Sequence, residues 1–130
     1  MIFSDGDDAP LAVDLRPDWG VTFGEAARQL ELEIGCGHGG FALAFGARHP
    51  DRALVAIEQR RKFAADVAAR ASRRGLPNLL VLQGDARLLA PRLFAEGSLA
   101  AVHVHFPDPW WKRRHERRRL LEGDDVEGVA

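Results

Sequence analysis

From Leu30 onward the chain alternates apolar and charged positions, with Leu30, Leu32 and Ile34 set against Glu31 and Glu33. This period of two predicts a half-polar strand. The strand runs directly into Gly35-Cys36-Gly37-His38-Gly39-Gly40. Phe41 to Arg48 reads as a helix stopped by His49-Pro50-Asp51, and Ala53 to Ile57 is a continuous apolar run of the kind buried in parallel sheets. Between Gln59 and Arg74, Phe63, Val67 and Ala71 recur every four residues with Ala64 and Ala68 beside them, while the arginines mostly fall elsewhere. That spacing predicts an amphipathic helix, ended by Gly75 with Pro77 beyond it. Leu79 to Leu82 predicts a third strand, Ala86 to Phe94 a helix interrupted or bent by Pro91, and Leu99 to Phe106 a fourth strand.

Strands and helices therefore alternate from Leu30 to Phe106, and the architecture implied is a Rossmann-like α/β fold: a parallel sheet of about four strands with helices on both faces. The flanks read differently. Residues 1–21 are polar, with Pro10, Pro17 and several aspartates, and predict an irregular N-terminal arm; Thr22 and Glu25 stand at capping-box spacing before a short helix through about Gln29. Residues 22–121 form the expected domain, and the acidic, glycine-bearing stretch 122–130 reads as a disordered tail with nothing resembling a fifth strand.

Composition narrows the options without choosing among them. A chain of 130 residues makes one domain, and a net charge of -1 excludes a protein that is basic overall, so any nucleic-acid surface must be local. No run of about 18 apolar residues exists, and the acidic start lacks a secretory pattern, so no membrane partner and a cytoplasmic location are the expectation. The single cysteine, Cys36, forms neither an internal disulfide nor a cysteine-rich metal site, and no metal is expected.

The glycine turn after the first strand is the first sign of chemistry. Gly35, Gly37 and Gly40 match the spacing that lets a backbone approach a nucleotide cofactor, which by itself admits a nicotinamide or flavin as well as other nucleosides. Glu33, two residues before Gly35, would repel a diphosphate but suits S-adenosyl-L-methionine, which carries no phosphate and presents an ammonium and a sulfonium. Glu58, closing the second strand, can accept from ribose hydroxyls, and Asp85, just past the third, from an adenine amine. The plainer readings are that Glu33 is a solvated strand residue like Glu31 and that Asp85 is the N-cap of the next helix. Cys36 and His38 read as loop residues and are assigned no catalytic part.

After Phe106 the sequence changes character. Pro107-Asp108-Pro109-Trp110-Trp111 is a stiff aromatic turn in which two prolines fix the backbone around Asp108, and Lys112 to Arg119 is almost wholly basic. Arg113 with Arg117, and Arg114 with Arg118, are like charges four apart on any helix, a penalty that a polyanion would reverse. Trp110 or Trp111 can stack on a base or, more simply, close the edge of the sheet.

These residues carry a resemblance. Leu32-Glu33-Ile34-Gly35-Cys36-Gly37, Ala56-Ile57-Glu58, Gly84-Asp85-Ala86 and above all Phe106-Pro107-Asp108-Pro109-Trp110-Trp111-Lys112, followed by Arg114-His115-Glu116-Arg117-Arg118-Arg119-Leu120, resemble the bacterial tRNA (guanine-N7-)-methyltransferases of the TrmB type. The resemblance spans roughly Thr22 to Leu121. It implies a class I methyltransferase fold and methyl transfer from S-adenosyl-L-methionine to N7 of the variable-loop guanosine of tRNA. It further implies Glu33, Gly35, Gly37, Glu58, Asp85 and Asp108 at the cofactor, Asp108 as the catalytic residue, Lys112 at the guanosine, and Arg114, His115, Arg117, Arg118 and Arg119 at RNA. Because guanine N7 already has an in-plane lone pair, Asp108 would align and stabilise charge rather than serve as an obligatory base.

Members of that family continue past the basic stretch into the last strands of a seven-stranded sheet, and no residue after Leu121 matches them. A truncated, non-catalytic homologue that binds S-adenosyl-L-methionine or RNA is therefore the alternative expectation. A nicotinamide-dependent reductase is a third, disfavoured by Glu33 and the Asp108 turn.

Overall fold

In a computed structural model, residues 16–105 are described, together with the backbone of residues 126–127. The predicted alternation is present: β1 (Leu30–Ile34), α2 (Gly40–Arg48), β2 (Ala53–Glu58), α3 (Arg61–Arg73), β3 (Leu79–Gln83), α4 (Ala86–Leu93) and β4 (Ala101–Val104) follow one another, preceded by α1 (Trp19–Phe23) and a 3₁₀ helix (Gly24–Gln29). The strands pair in parallel in the order β3-β2-β1-β4-β5, where β5 is Val126–Glu127. The chain thus builds outward from β1 to β3 and then returns to the other side of β1. That reversal opens a crevice beyond the carboxyl ends of β1 and β4, where open α/β sheets take their ligands.

The period of two along β1 separates two buried faces, not a buried face from a solvated one. Leu30 and Leu32 join Val55, Ile57, Leu80, Leu82, Val102 and Val104 in an apolar layer covered by α4, with Trp19 and Phe23 of α1 packed against it. On the opposite face, Leu54, Ala56, Leu79 and Val81 pack with Ala42, Leu43 and Phe45 of α2 and Ala64, Val67 and Ala71 of α3. Glu31 and Glu33 belong to this second side, and both are buried, at 3% and 1% exposure. The expectation that Glu31 is solvated is corrected: β1 lies inside the sheet, flanked by β2 and β4, and helices cover its faces.

Four further expectations change. The first helix begins earlier than Thr22 because Asp18 caps it, its carboxylate accepting from the Gly20 and Val21 N–H groups at 3.0 and 3.3 Å. Trp19, expected in an irregular arm, instead stacks between Phe23 and Phe94, with ring centroids 5.8 and 5.4 Å away. The helix α4 runs through Pro91, the sixth of its eight residues, which forgoes one intrahelical N–H donor without ending the helix. Finally, Val126–Glu127 pairs with the outer edge of β4 as β5, where no strand was expected; an open edge offers a row of backbone donors and acceptors to any short extended segment.

Candidate functional site

The ends of β1, β2 and β3 come together through the turns that follow them. The Gly35 N–H donates to the Ile57 carbonyl at 2.8 Å, and the Gly84 N–H donates to the Glu58 carbonyl at 3.0 Å, so three consecutive strand ends are tied side by side. Between them the Gly37 N–H donates to Glu58 Oε1 at 2.8 Å, fixing the glycine turn against the acidic end of β2. Gly37 has φ 57°, a left-handed conformation that favours glycine.

Gly39 closes the turn and caps α2. Its φ is +89°, and a Cβ placed there would lie 2.7 Å from a methyl of Val67 on α3. No side chain caps α2, and Gly39 and Gly40 put no side chain at its very start. Such a bare, donor-lined helix start suits a closely approaching polar ligand.

The three acidic residues singled out in the sequence differ sharply in environment. Burial, and secondarily the charge of Glu58, push the Glu33 carboxyl up to about 8, so it is mostly protonated at neutral pH. Its Oε2 lies 2.9 Å from His105 Nδ1, and its Oε1 is buried with no hydrogen-bond partner among the described residues. Glu58 behaves oppositely. Burial resists its ionisation, but the Arg60 side chain, the Arg60 and Gly37 N–H groups and the Arg60 charge together hold it below the usual carboxylate range. Arg60 Nε donates to Oε2 at 2.8 Å, and its guanidinium also lies over the Phe63 ring at 4.0 Å. Asp85 is the N-cap of α4, accepting from the Arg87 N–H at 2.9 Å, and the Arg87 guanidinium holds its carboxyl low.

Cys36 and His38 take the structural places expected of them. Burial, and then the neighbouring Glu33 and Glu58, push the Cys36 thiol up to about 12, which keeps it protonated at neutral pH. His38 is exposed against Phe63, and its carbonyl accepts from Arg70 Nη1 at 2.8 Å.

Two residues that sequence reasoning passed over, His103 and His105, stand on β4 and just beyond it, beside β1. His103 Nε2 meets Glu31 Oε1 at 2.8 Å, and both are buried. The signal available was the alternation Val102, His103, Val104, His105, which mirrors the alternation of β1. Only strand pairing shows that the two polar faces meet.

Asp108, Lys112, Arg114, His115, Arg117, Arg118 and Arg119, together with Trp110 and Trp111, lie outside the described residues. Among the described residues no cluster of His, Cys, Asp and Glu could hold a metal ion, and no helix is long and apolar enough to cross a membrane.

Comparison with known proteins places this geometry. A family described as "Putative methyltransferase" matches residues 27–130. A protein of Anaeromyxobacter dehalogenans named tRNA (guanine-N(7)-)-methyltransferase is 74% identical over 122 residues, covering 94% of this chain and 61% of that protein. The chain spans about two-fifths to three-fifths of the length of the curated relatives it matches. Among solved structures, the 16S rRNA methyltransferase KamB aligns with a TM-score of 0.61 at 24% identity, over 78% of this chain and 49% of KamB. The O-methyltransferase TomG of Streptomyces achromogenes, solved in complex with SAM, aligns with a TM-score of 0.57 at 26% identity, over 73% of this chain and 45% of TomG.

Proposed function

This chain belongs to that methyltransferase family and has its Rossmann-like class I fold, and from this premise we propose that it is the cofactor-binding part of a tRNA (guanine-N7-)-methyltransferase. The observation that carries the reading is the buried Glu33 Oε1, without a hydrogen-bond partner among the described residues, beside a glycine turn, in a chain so close to a protein of that name. A buried polar atom without a partner costs roughly 1–3 kcal/mol, which a ligand donor would recover. The ligand is S-adenosyl-L-methionine, whose sulfonium supplies an electrophilic methyl group.

The residues present fit that group. A bare glycine turn admits close approach of a nucleoside, and the acceptors offered at the strand ends, Glu33, Glu58 and Asp85, suit an ammonium, ribose hydroxyls and an adenine amine. No phosphate is available to be repelled by the two acids nearest the turn, which separates this reading from a nicotinamide-dependent reductase. Glu58 also holds Gly37 in place, so one carboxylate both shapes the turn and keeps lone pairs for a ligand.

The substrate half of the reading rests on the resemblance. Asp108 would align guanine N7, Lys112 would meet the guanosine, and Arg114, His115, Arg117, Arg118 and Arg119 would contact tRNA phosphates. Guanine N7 needs no deprotonation, so positioning is the main work left to the protein.

Purified protein incubated with methyl-labelled S-adenosyl-L-methionine and unmodified tRNA tests the proposal. Label recovered as 7-methylguanosine is the expected result. Cofactor binding without incorporation would mean that this stretch binds but does not turn over. Separately, Arg117→Glu with Arg118→Glu should abolish tRNA retention on a filter and leave cofactor affinity intact; unchanged retention removes the RNA-binding role.

A further inference from the structure

The face of β4 opposite the apolar layer carries one imidazole on the strand and a second just past its end, and each meets a carboxylate of β1. His103 Nε2 lies 2.8 Å from Glu31 Oε1, and His105 Nδ1 lies 2.9 Å from Glu33 Oε2. The two imidazoles stack with an interplanar angle of 8° and centroids 6.1 Å apart. Phe41, from the first turn of α2, packs against both, at 4.8 Å from His103 and 4.5 Å from His105. One aromatic ring thus links the start of α2, next to the glycine turn, to both acid–imidazole pairs.

The pairs differ in what they leave over. Glu31 and His103 satisfy each other with good geometry, and Arg52 Nη1 approaches the second Glu31 oxygen at 3.7 Å. At the carboxyl end of the strands, His105 Nδ1 lies close to Glu33 but not in line for a hydrogen bond, and Glu33 Oε1 has no partner among the described residues. A buried, imperfectly aligned contact beside an orphaned oxygen is a geometry that tightens when a ligand arrives. Burial, and then His103, depress the His105 pKa, while Glu33 sits at about 8, so both are mostly neutral at neutral pH.

We propose that His105 is a positioning residue for Glu33: braced by Phe41, its Nδ1 holds one carboxyl oxygen so that the other is presented to the cationic amino-acid end of the cofactor. This rests on the reading of the site as one for S-adenosyl-L-methionine. It assigns to a residue outside the glycine turn and the three acidic strand ends a control over how one half of the ligand, and not the other, is recognised.

The test is a pair of calorimetric titrations. S-adenosylhomocysteine carries the ammonium-bearing end, and 5′-methylthioadenosine lacks it. His105→Phe keeps a ring against Phe41 but removes the nitrogen. It should weaken S-adenosylhomocysteine by roughly tenfold, the loss of about one hydrogen bond, with 5′-methylthioadenosine within about twofold of native. His105→Asn places an amide near the Nδ1 position and should restore the native ratio, whereas His105→Gln, whose amide overlays Nε2, should behave like the Phe variant. The Asn and Gln variants carry the test alone if the Phe variant does not fold, as judged by circular dichroism. Equal loss of both ligands would mean a merely structural residue, and no loss of either would mean no role; each overturns the inference while leaving the site reading intact. A native chain that binds neither ligand overturns both.

Discussion

Glu33 and Glu58 end neighbouring parallel strands, and the fold holds the first as a carboxylic acid and the second as a carboxylate. The β1–β2 register sets Glu33 opposite Ala56 and Ile34 opposite Ile57, so the two acids stand within electrostatic reach at one edge of the sheet. Of the two, only Glu58 accepts hydrogen bonds among the described residues: Gly37 and Arg60 supply three to its oxygens. Two like charges in a dry site divide the roles in this way when one alone is solvated by the protein.

Stability should therefore fall as pH rises through the Glu33 titration. The folded chain keeps the Glu33 proton up to about pH 8, whereas the unfolded chain releases it in the ordinary carboxyl range, near 4.5. Between those values the native state binds more protons than the unfolded state, so its stability declines with pH and then levels off. Glu33→Gln should remove that slope, leaving stability unchanged near pH 4 and raising it by up to about 4 kcal/mol at pH 8. Urea melts of both proteins across this range check it; a gain of equal size at all pH values would refute it.

Glu58 gives the opposite sign. Its lowered pKa stabilises the fold above the ordinary carboxyl range, and that contribution disappears as pH falls through the folded value. Glu58→Ala should cost roughly 1–3 kcal/mol at pH 7, mainly because the buried Gly37 N–H loses its acceptor, since the Arg60 side chain is half exposed and its ion pair adds little. The deficit should shrink in acid, as denaturant titrations at pH 3 and pH 7 would show.

The seat of Gly39 on Val67 predicts a coupled pair. Gly39→Ala forces a methyl to within 2.7 Å of Val67 and places alanine at φ +89°, for a combined cost of about 3 kcal/mol. Val67→Ala leaves a small cavity in the α3 face of the core and should cost about 2 kcal/mol alone. In the double variant the clash disappears and only the backbone term of Gly39→Ala remains, so the two costs should fall short of additive by about 1 kcal/mol or more. Strict additivity in thermal or urea unfolding would show that the contact does not limit position 39.

Asn78 should prove far less replaceable than a loop residue. It is buried, and its side-chain amide donates to the carbonyls of Gly46, His49 and Arg52 at 3.2, 2.9 and 3.0 Å, closing the end of α2 onto the start of β2. Asn78→Ala should destabilise the fold by about 2 kcal/mol, and Asn78→Asp by more, since it turns an oxygen toward three carbonyls. Chemical denaturation of the two variants measures this; equal stability of the Asp variant and the native chain would contradict it.

Much of this protein is written in short-range pattern. The spacing of Phe63, Val67 and Ala71 specifies α3, the unbroken apolar run at Ala53 to Ile57 specifies a strand buried on both faces, and strand ends followed by glycine or an acid mark Glu33, Glu58 and Asp85. Local information also misleads where two choices compete at equal cost. Thr22 and Asp18 both offer a cap four residues apart, and Asp18 prevails, its carboxylate accepting two N–H groups and Trp19 finding Phe94 at the end of α4. A two-residue strand such as Val126–Glu127 is too short to carry a period at all.

What the sequence by itself determined is the set of elements and the acids at their ends, because hydrophobic period and turn chemistry act over a few residues. The tertiary structure alone decided which polar faces meet. Glu31 and His103 are 72 residues apart, and nothing in either strand's alternation says whether its polar side meets water or another strand. The answer follows from strand order: with β4 returning to the far side of β1, both polar faces are buried. Burial then makes those carboxyls and imidazoles satisfy one another or wait for a ligand.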